Sequence, residues 1–183
     1  MSGLHSNTER LIDYWRGLGG EEFLPSRKAV DPTEFSEIIH QIFILGRVAT
    51  GIYPLRLAGG FVADLHARDL RQQNALSLFR ERDRLELKAA LETARRRPEP
   101  LVAKVDVLTE GPVLPMEMLF LPLAPTLGSP ERFLGLYQPL GLVVRLRGLP
   151  ARELAVVGLQ GMGPANQASP RLRLAAMDGR RIA

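Results

Sequence analysis

Apolar positions in this chain change period several times, and each change marks an element. Leu11, Ile12, Trp15 and Leu18 fall on one stripe at helical spacing, so an amphipathic helix is predicted over Thr8–Leu18, with Asn7 or Thr8 as N-cap and Gly19-Gly20 as its stop. Asp31-Pro32 opens a second short helix around Thr33–Ile39, whose Phe35, Ile38 and Ile39 face inward. Two apolar runs, Ile42–Leu45 and Ile52–Leu57, flank Ala49-Thr50-Gly51 and read as an antiparallel hairpin. After Gly59-Gly60, the spacing of Phe61, Val62 and Leu65 suits a short helix with Asp64 and Arg68 on its other face. An irregular connector over 70–76 leads to the longest helical pattern, Leu78–Arg97. Leu87, Leu91 and Ala94 mark its buried side with Leu85 and Ala90 alongside, while Arg82, Glu86, Lys88 and Glu92 are charge neighbours on the wet side. Arg95-Arg96-Arg97-Pro98 ends it, cations at the negative end of the dipole and proline forbidding continuation.

Alternation returns in Leu101–Leu108, Glu110-Gly111-Pro112 turns the chain, Val113–Leu121 runs back, and Arg132–Gln138 forms a fifth strand. Helices, two strands, helices and then three strands predict an α+β domain: a five-stranded, mainly antiparallel sheet with helices on one face, preceded by an N-terminal amphipathic helix. From Leu142 onward the apolar patches are short and separated by Gly and Pro clusters such as Gly161-Met162-Gly163-Pro164, with no sustained period. The expected division is therefore a lead helix over 1–30, a domain over 31–141 and a weakly patterned extension over 142–183.

At 183 residues and 45% hydrophobic, the chain is long enough for one domain with its own core. It has no cysteine, which removes disulfides, thiolate metal sites and cysteine nucleophiles. No leader-like segment or uncharged apolar run of membrane-spanning length is present, so a cytoplasmic protein is expected. The net charge of +4 sits in the extension, where seven arginines face two carboxylates; the rest of the chain is near neutral. A nucleic acid or acidic partner bound through that arginine-bearing tail is one alternative function, but few aromatics and no lysine cluster accompany it.

Candidate chemistry is sparse. Arg56 alternates with Leu55 and Leu57, so if the leucines fill the core Arg56 lies on the outer sheet surface, ion-paired or solvated; the reversed registry makes it an anion clamp. His5, His40 and His66 are too scattered for a metal site, and His66, beside Asp64 and Asp69, is the one placed to titrate or bond a ligand. No Gly-x-Ser-x-Gly elbow, Walker loop or Gly-x-Gly-x-x-Gly run appears. No catalytic residue is assigned, and a small enzyme would need two titratable groups converging in a cavity.

Taken in order, Tyr14-Trp15-Arg16, Asp31-Pro32, Tyr53-Pro54-Leu55-Arg56-Leu57-Ala58-Gly59, Arg68-Asp69-Leu70 and Leu134-Gly135-Leu136-Tyr137 resemble a family of small stand-alone PAS proteins found in alphaproteobacteria. The likeness spans about residues 9–141. It departs where the family places a glycine after Asp-Leu and this chain has Arg71-Gln72-Gln73, so the turn there is shaped differently. The resemblance implies a PAS fold and a non-enzymatic signalling role through protein contact, modulated by a small apolar ligand between the sheet and the helices at 61–66 and 73–79. It makes Arg56, Leu57, Phe61, His66 and Tyr137 the ligand-binding candidates. Leu11, Trp15 and Leu18 become the candidates for a partner-binding or homodimer helix, with a histidine kinase or other regulator as protein partner. Flavin photochemistry of the kind some PAS relatives perform needs a cysteine, so the cofactor stays unassigned.

Overall fold

A computed structural model describes residues 3–19, 24–127 and 131–163. One antiparallel sheet organises them. Its strands are β1 (Ile42–Gly46), β2 (Leu55–Ala58), β3 (Leu101–Leu108), β4 (Leu114–Leu123), β5 (Arg132–Pro139) and β6 (Glu153–Gly161), in spatial order β2-β1-β5-β4-β3-β6. The α+β architecture agrees with expectation, whereas the sheet has six strands rather than five. The sixth comes from the segment read as weakly patterned: β6 is an edge strand, exposed over much of its length, so only Leu154, Ala155 and their neighbours carry an apolar signal. The strand runs on to Gly161, the first residue of the cluster read as a separator. Residues 164–183, with Arg171, Arg173, Arg180 and Arg181, lie outside the described residues.

Helices cover both faces of the sheet, not one. Three helices give the fold its layers: α1 (Ser6–Leu18), α2 (Gly60–His66) and α3 (Glu81–Arg96). On the inner face α2, α3 and a 3-10 turn at Ala75–Leu78 enclose a core of Phe43, Leu45, Tyr53, Leu55, Leu87, Leu91, Phe120, Phe133 and Tyr137. On the outer face α1 and a 3-10 segment, Pro32–Gln41, bury Leu11, Trp15, Phe35 and Ile38 against Ile42, Ile44, Val102, Leu119 and Leu136. The alternation of strand side chains separates the two sets: Phe43 and Leu45 go one way, Ile42 and Ile44 the other.

Local chemistry accounts for the departures from the sequence reading. The α1 cap is His5, whose Nδ1 accepts from the Asn7 N–H at 3.1 Å, and not Asn7 or Thr8. Asp31 caps the following segment as expected, its Oδ1 accepting from the Thr33 N–H, but the segment winds as two 3-10 pieces joined across a kink at Phe35 (φ −135°, ψ 32°). Phe35, at the kink, and Ile38 are buried, while Ile39 is left 43% exposed. In α3, Leu87, Leu91 and Ala94 are buried as predicted, while Leu85 stands 70% exposed and Glu92, assigned to the wet side, is buried. β4 runs past the expected end at Leu121 to Leu123, with Pro122 inside it. Where a glycine was absent after Asp69-Leu70, Gln72 adopts a left-handed φ of 64° and makes the turn itself.

Candidate functional site

The inner face forms a cup whose floor is the sheet and whose wall is α2. Phe43, on β1, packs edge-on against Phe120 and Tyr137 with ring centroids 5.6 and 5.3 Å apart, and Tyr53 meets Phe133 in the same way at 6.2 Å. Gly135 on β5 makes room for this: a Cβ there would lie 2.0 Å from the Phe43 ring. The cup is thus filled with its own rings. Into that apolar packing two titratable side chains converge. His66, the last residue of α2, and Tyr137 of β5 share a hydrogen bond of 3.2 Å between Nε2 and Oη, and their rings meet edge-on. Burial, with the nearby Arg68 cation adding to it, pushes His66 down to about 4, and burial pushes the Tyr137 hydroxyl up. Both are therefore neutral at physiological pH, a polar pair that ties α2 to the centre of the sheet.

Of the other ligand candidates, Phe61 is half-buried on the margin of this core. Arg56 and Leu57 point away from it. β1 and β2 change register between Ile44 and Leu45: Leu45 pairs with Leu55 and Ile44 with Leu57, so Arg56 is the extra residue of a bulge. The bulge reverses the alternation, sending Leu55 to the cup and leaving Leu57 42% exposed. Arg56 runs across the Cα of Gly46 to donate to the Gln72 side chain at 2.6 Å on the surface.

A second polar centre lies beside the cup, where Glu92 of α3 accepts from Arg47 twice (2.8 and 3.0 Å), from the Tyr53 hydroxyl at 2.5 Å and from Arg95 at 3.2 Å. Glu131 binds the same two arginines. Arg47 above all holds Glu92 down at about 2, and burial against the Glu92 carboxylate pushes Tyr53 up. This cluster joins the end of β1, α3 and the start of β5. Spacing reveals only its Glu92–Arg95 pair, three residues apart on α3; Arg47 and Tyr53 lie 45 and 39 residues from Glu92, and Glu131 lies 36 from Arg95.

The outer face holds a third. Glu117 is 1% exposed in β4, among apolar neighbours. Its carboxylate accepts from the Thr8 hydroxyl at 2.8 Å and from the His5 N–H at 3.1 Å, so the sheet itself supplies the anion at the positive end of α1. Next to it on β5, Gln138 accepts from the Asn7 amide at 2.9 Å, and Lys104 faces Glu117 across the β3–β4 register. Lower down, the Trp15 indole N–H donates to the Pro122 carbonyl at 2.8 Å. Leu11 and Trp15 are buried by these contacts, and Leu18 is half-buried at the helix end. A lone carboxylate in an apolar strand, Met116-Glu117-Met118, is the signal that marks this site in the sequence.

Consecutive residues of the central strands therefore serve opposite faces. Tyr137 meets His66 in the cup while Gln138 holds α1; Met116 and Met118 pack in the cup while Glu117 binds the first turn of α1. Among the described residues no three His, Cys, Asp or Glu side chains gather as a metal site requires, and no helix is long and apolar enough to cross a membrane.

A family model described as a PAS domain matches residues 4–138. No curated protein matches the chain. Among solved structures, the Rhodobacter sphaeroides LOV protein is similar at 15% identity and a TM-score of 0.43, covering 64% of this chain and 72% of that one. The PAS domain of Bordetella pertussis BvgS is similar at 18% identity and a TM-score of 0.42, covering 64% and 93%.

Proposed function

The chain belongs to the PAS domain family, and from that premise we propose that it is a sensory regulator that signals through protein contact and catalyses nothing. The observation that carries this reading is the adjacency of Tyr137 and Gln138 on β5: a change felt by the first in the cup is one peptide unit from the second, which holds α1. A strand cannot shift on one face alone, because its side chains alternate on a common backbone. Displacing the His66–Tyr137 pair thus biases the docking of α1, a two-state element whose release uncovers an apolar sheet face.

On this reading a small apolar ligand acts by displacing side chains from a cup they now fill. Leu11 and Trp15 meet a partner, whether a regulator such as a histidine kinase or a second copy, after α1 leaves its own sheet; Leu18 is the member of the trio within reach beforehand. The reading places the protein in the cytoplasm. Hydrogen exchange on wild type and Tyr137→Phe, combined with native mass spectrometry of each recovered from native cytosol, tests it. Faster exchange in α1 and an altered set of bound proteins are expected for the variant. Identical exchange in α1 and identical bound species would sink it.

A further inference from the structure

Beyond the end of the family match, the chain makes a projecting turn that the core does not call for. From Leu140 to Gly148 every residue is exposed except Leu146, which turns inward into the cup-side core at 4% exposure. The turn is pinned at both ends. The Leu140 N–H donates to the Pro115 carbonyl at 2.9 Å, and after the left-handed pair Arg147 and Gly148 the Ala151 N–H donates to Leu65 of α2 at 2.8 Å. An anchored leucine with fixed ends holds the residues between them out from the surface.

Those residues are aliphatic and basic. Leu142 and Val144 are 61% and 79% exposed, with Leu140, Val143 and Val113 also exposed. The turn and the start of β4, which Val113 precedes, are neighbours: Gly141 lies against Leu114 and Pro115, and Gly111 against Leu149. Arg145, Arg147 and Arg152 accompany them, and residues 140–152 contain no carboxylate. Arg152 is paired with Glu110, whereas Arg145 and Arg147 make no ion pair among the described residues. Asp106, opposite Pro115 in the β3–β4 register, is a carboxylate the sheet itself brings to this end.

A protruding aliphatic ridge with uncompensated guanidinium groups differs from a protein-binding patch, whose buried centre is enriched in aromatic residues. It matches a bilayer surface of negative charge, where aliphatic side chains enter the headgroup and acyl boundary while arginines stay at the phosphates. We propose that the turn Leu140–Gly148 docks the protein on an anionic membrane surface. Attachment there sits one hydrogen bond from α2, through Ala151 and Leu65, and so next to His66.

Sedimentation of the full chain with phosphatidylcholine vesicles, and with vesicles in which about a third of the lipid is phosphatidylglycerol, tests this. Partition onto the anionic vesicles alone is expected, falling as salt rises. The charge reversal Arg145→Glu/Arg147→Glu should weaken it at least ~25-fold, roughly five-fold for each arginine, and Leu142→Ser/Val144→Ser should weaken it at unchanged charge. Replacing Arg171, Arg173, Arg180 and Arg181 by Ala should leave the effects of both turn variants in place. All these positions lie at the surface or outside the described residues, and circular dichroism confirms that each variant is folded. Absence of anionic partition at low salt would overturn the proposal. So would partition that survives both turn variants and is lost with the tail arginines. Turn variants that leave vesicle binding unchanged and instead abolish self-association, or the binding of an acidic protein, would also contradict it.

Discussion

The two faces of the sheet are both apolar, and they differ in how their polar groups are fastened. The cup face holds a neutral pair, His66 and Tyr137, enclosed by rings. The outer face holds a carboxylate, Glu117, whose partners, the His5 N–H and the Thr8 hydroxyl, belong to the first turn of α1 and its cap. A neutral pair in an apolar site loses little when it shifts as a unit, whereas a buried carboxylate stripped of its donors must be rehydrated. The outer face is consequently the all-or-none side, with α1 either seated on Glu117 or released, and the cup is the side that adjusts.

The strongest way to break this contrast is to remove the packing that seats α1. Trp15→Ala deletes a fully buried indole and the hydrogen bond to Pro122, and should cost about 3–5 kcal/mol in denaturant unfolding. Exchange should rise first in α1, while α3 stays protected. Equal loss of protection on both faces would show that the two sides form one cooperative unit.

Glu92→Gln should cost about 2–3 kcal/mol, because Arg47 and Arg95 lose one of the two carboxylates they share and keep only Glu131. Its effect belongs to the cup side, so α1 exchange should hardly change. Glu92 is held below its ordinary value, at about 2, so it stabilises the fold above the unfolded value of 4.5 and that stabilisation is lost as pH falls toward 2.

His66 gives the comparison a pH signature. Its folded value of about 4 lies below the ordinary value of 6.5, so the unfolded chain takes up the proton first. Stability is therefore full above about 6.5 and drains as pH falls toward 4, by about 2 kcal/mol at pH 5. In His66→Gln that part of the pH dependence of the unfolding free energy should vanish. A slope identical to wild type between pH 6.5 and 4 would mean that His66 is hydrated in the folded protein.

Glu117→Ala is expected to cost about 1–2 kcal/mol by orphaning the His5 N–H and the Thr8 hydroxyl. Its mark is faster α1 exchange with α2 and α3 unaffected.

The order of helices and strands is legible in the sequence because each long element keeps one period: Leu87, Leu91 and Ala94 on α3, the alternation of Leu101–Leu108, and the stripe of α1. What escapes is set by single residues acting across the chain. The bulge at Arg56 inverts the alternation that places Leu57, and no local pattern announces an inserted residue. β6 escapes because an edge strand with one exposed side needs few apolar positions. His66 and Tyr137 are legible as candidates but not as a pair, since 71 residues separate them. Glu92 escapes because a carboxylate beside Lys88 on a helix reads as a wet-side charge until Arg47 and Tyr53 are folded onto it.

The central claim is that the cup and α1 are coupled through the backbone they share at β5. A double-mutant cycle of Tyr137→Phe, on the cup side, with Asn7→Ala, whose amide holds Gln138 on the other side, measures that coupling in the unfolding free energy. The account predicts that the two changes together differ from their sum by about 1 kcal/mol. Additivity within about 0.3 kcal/mol, as for independent sites, would contradict it.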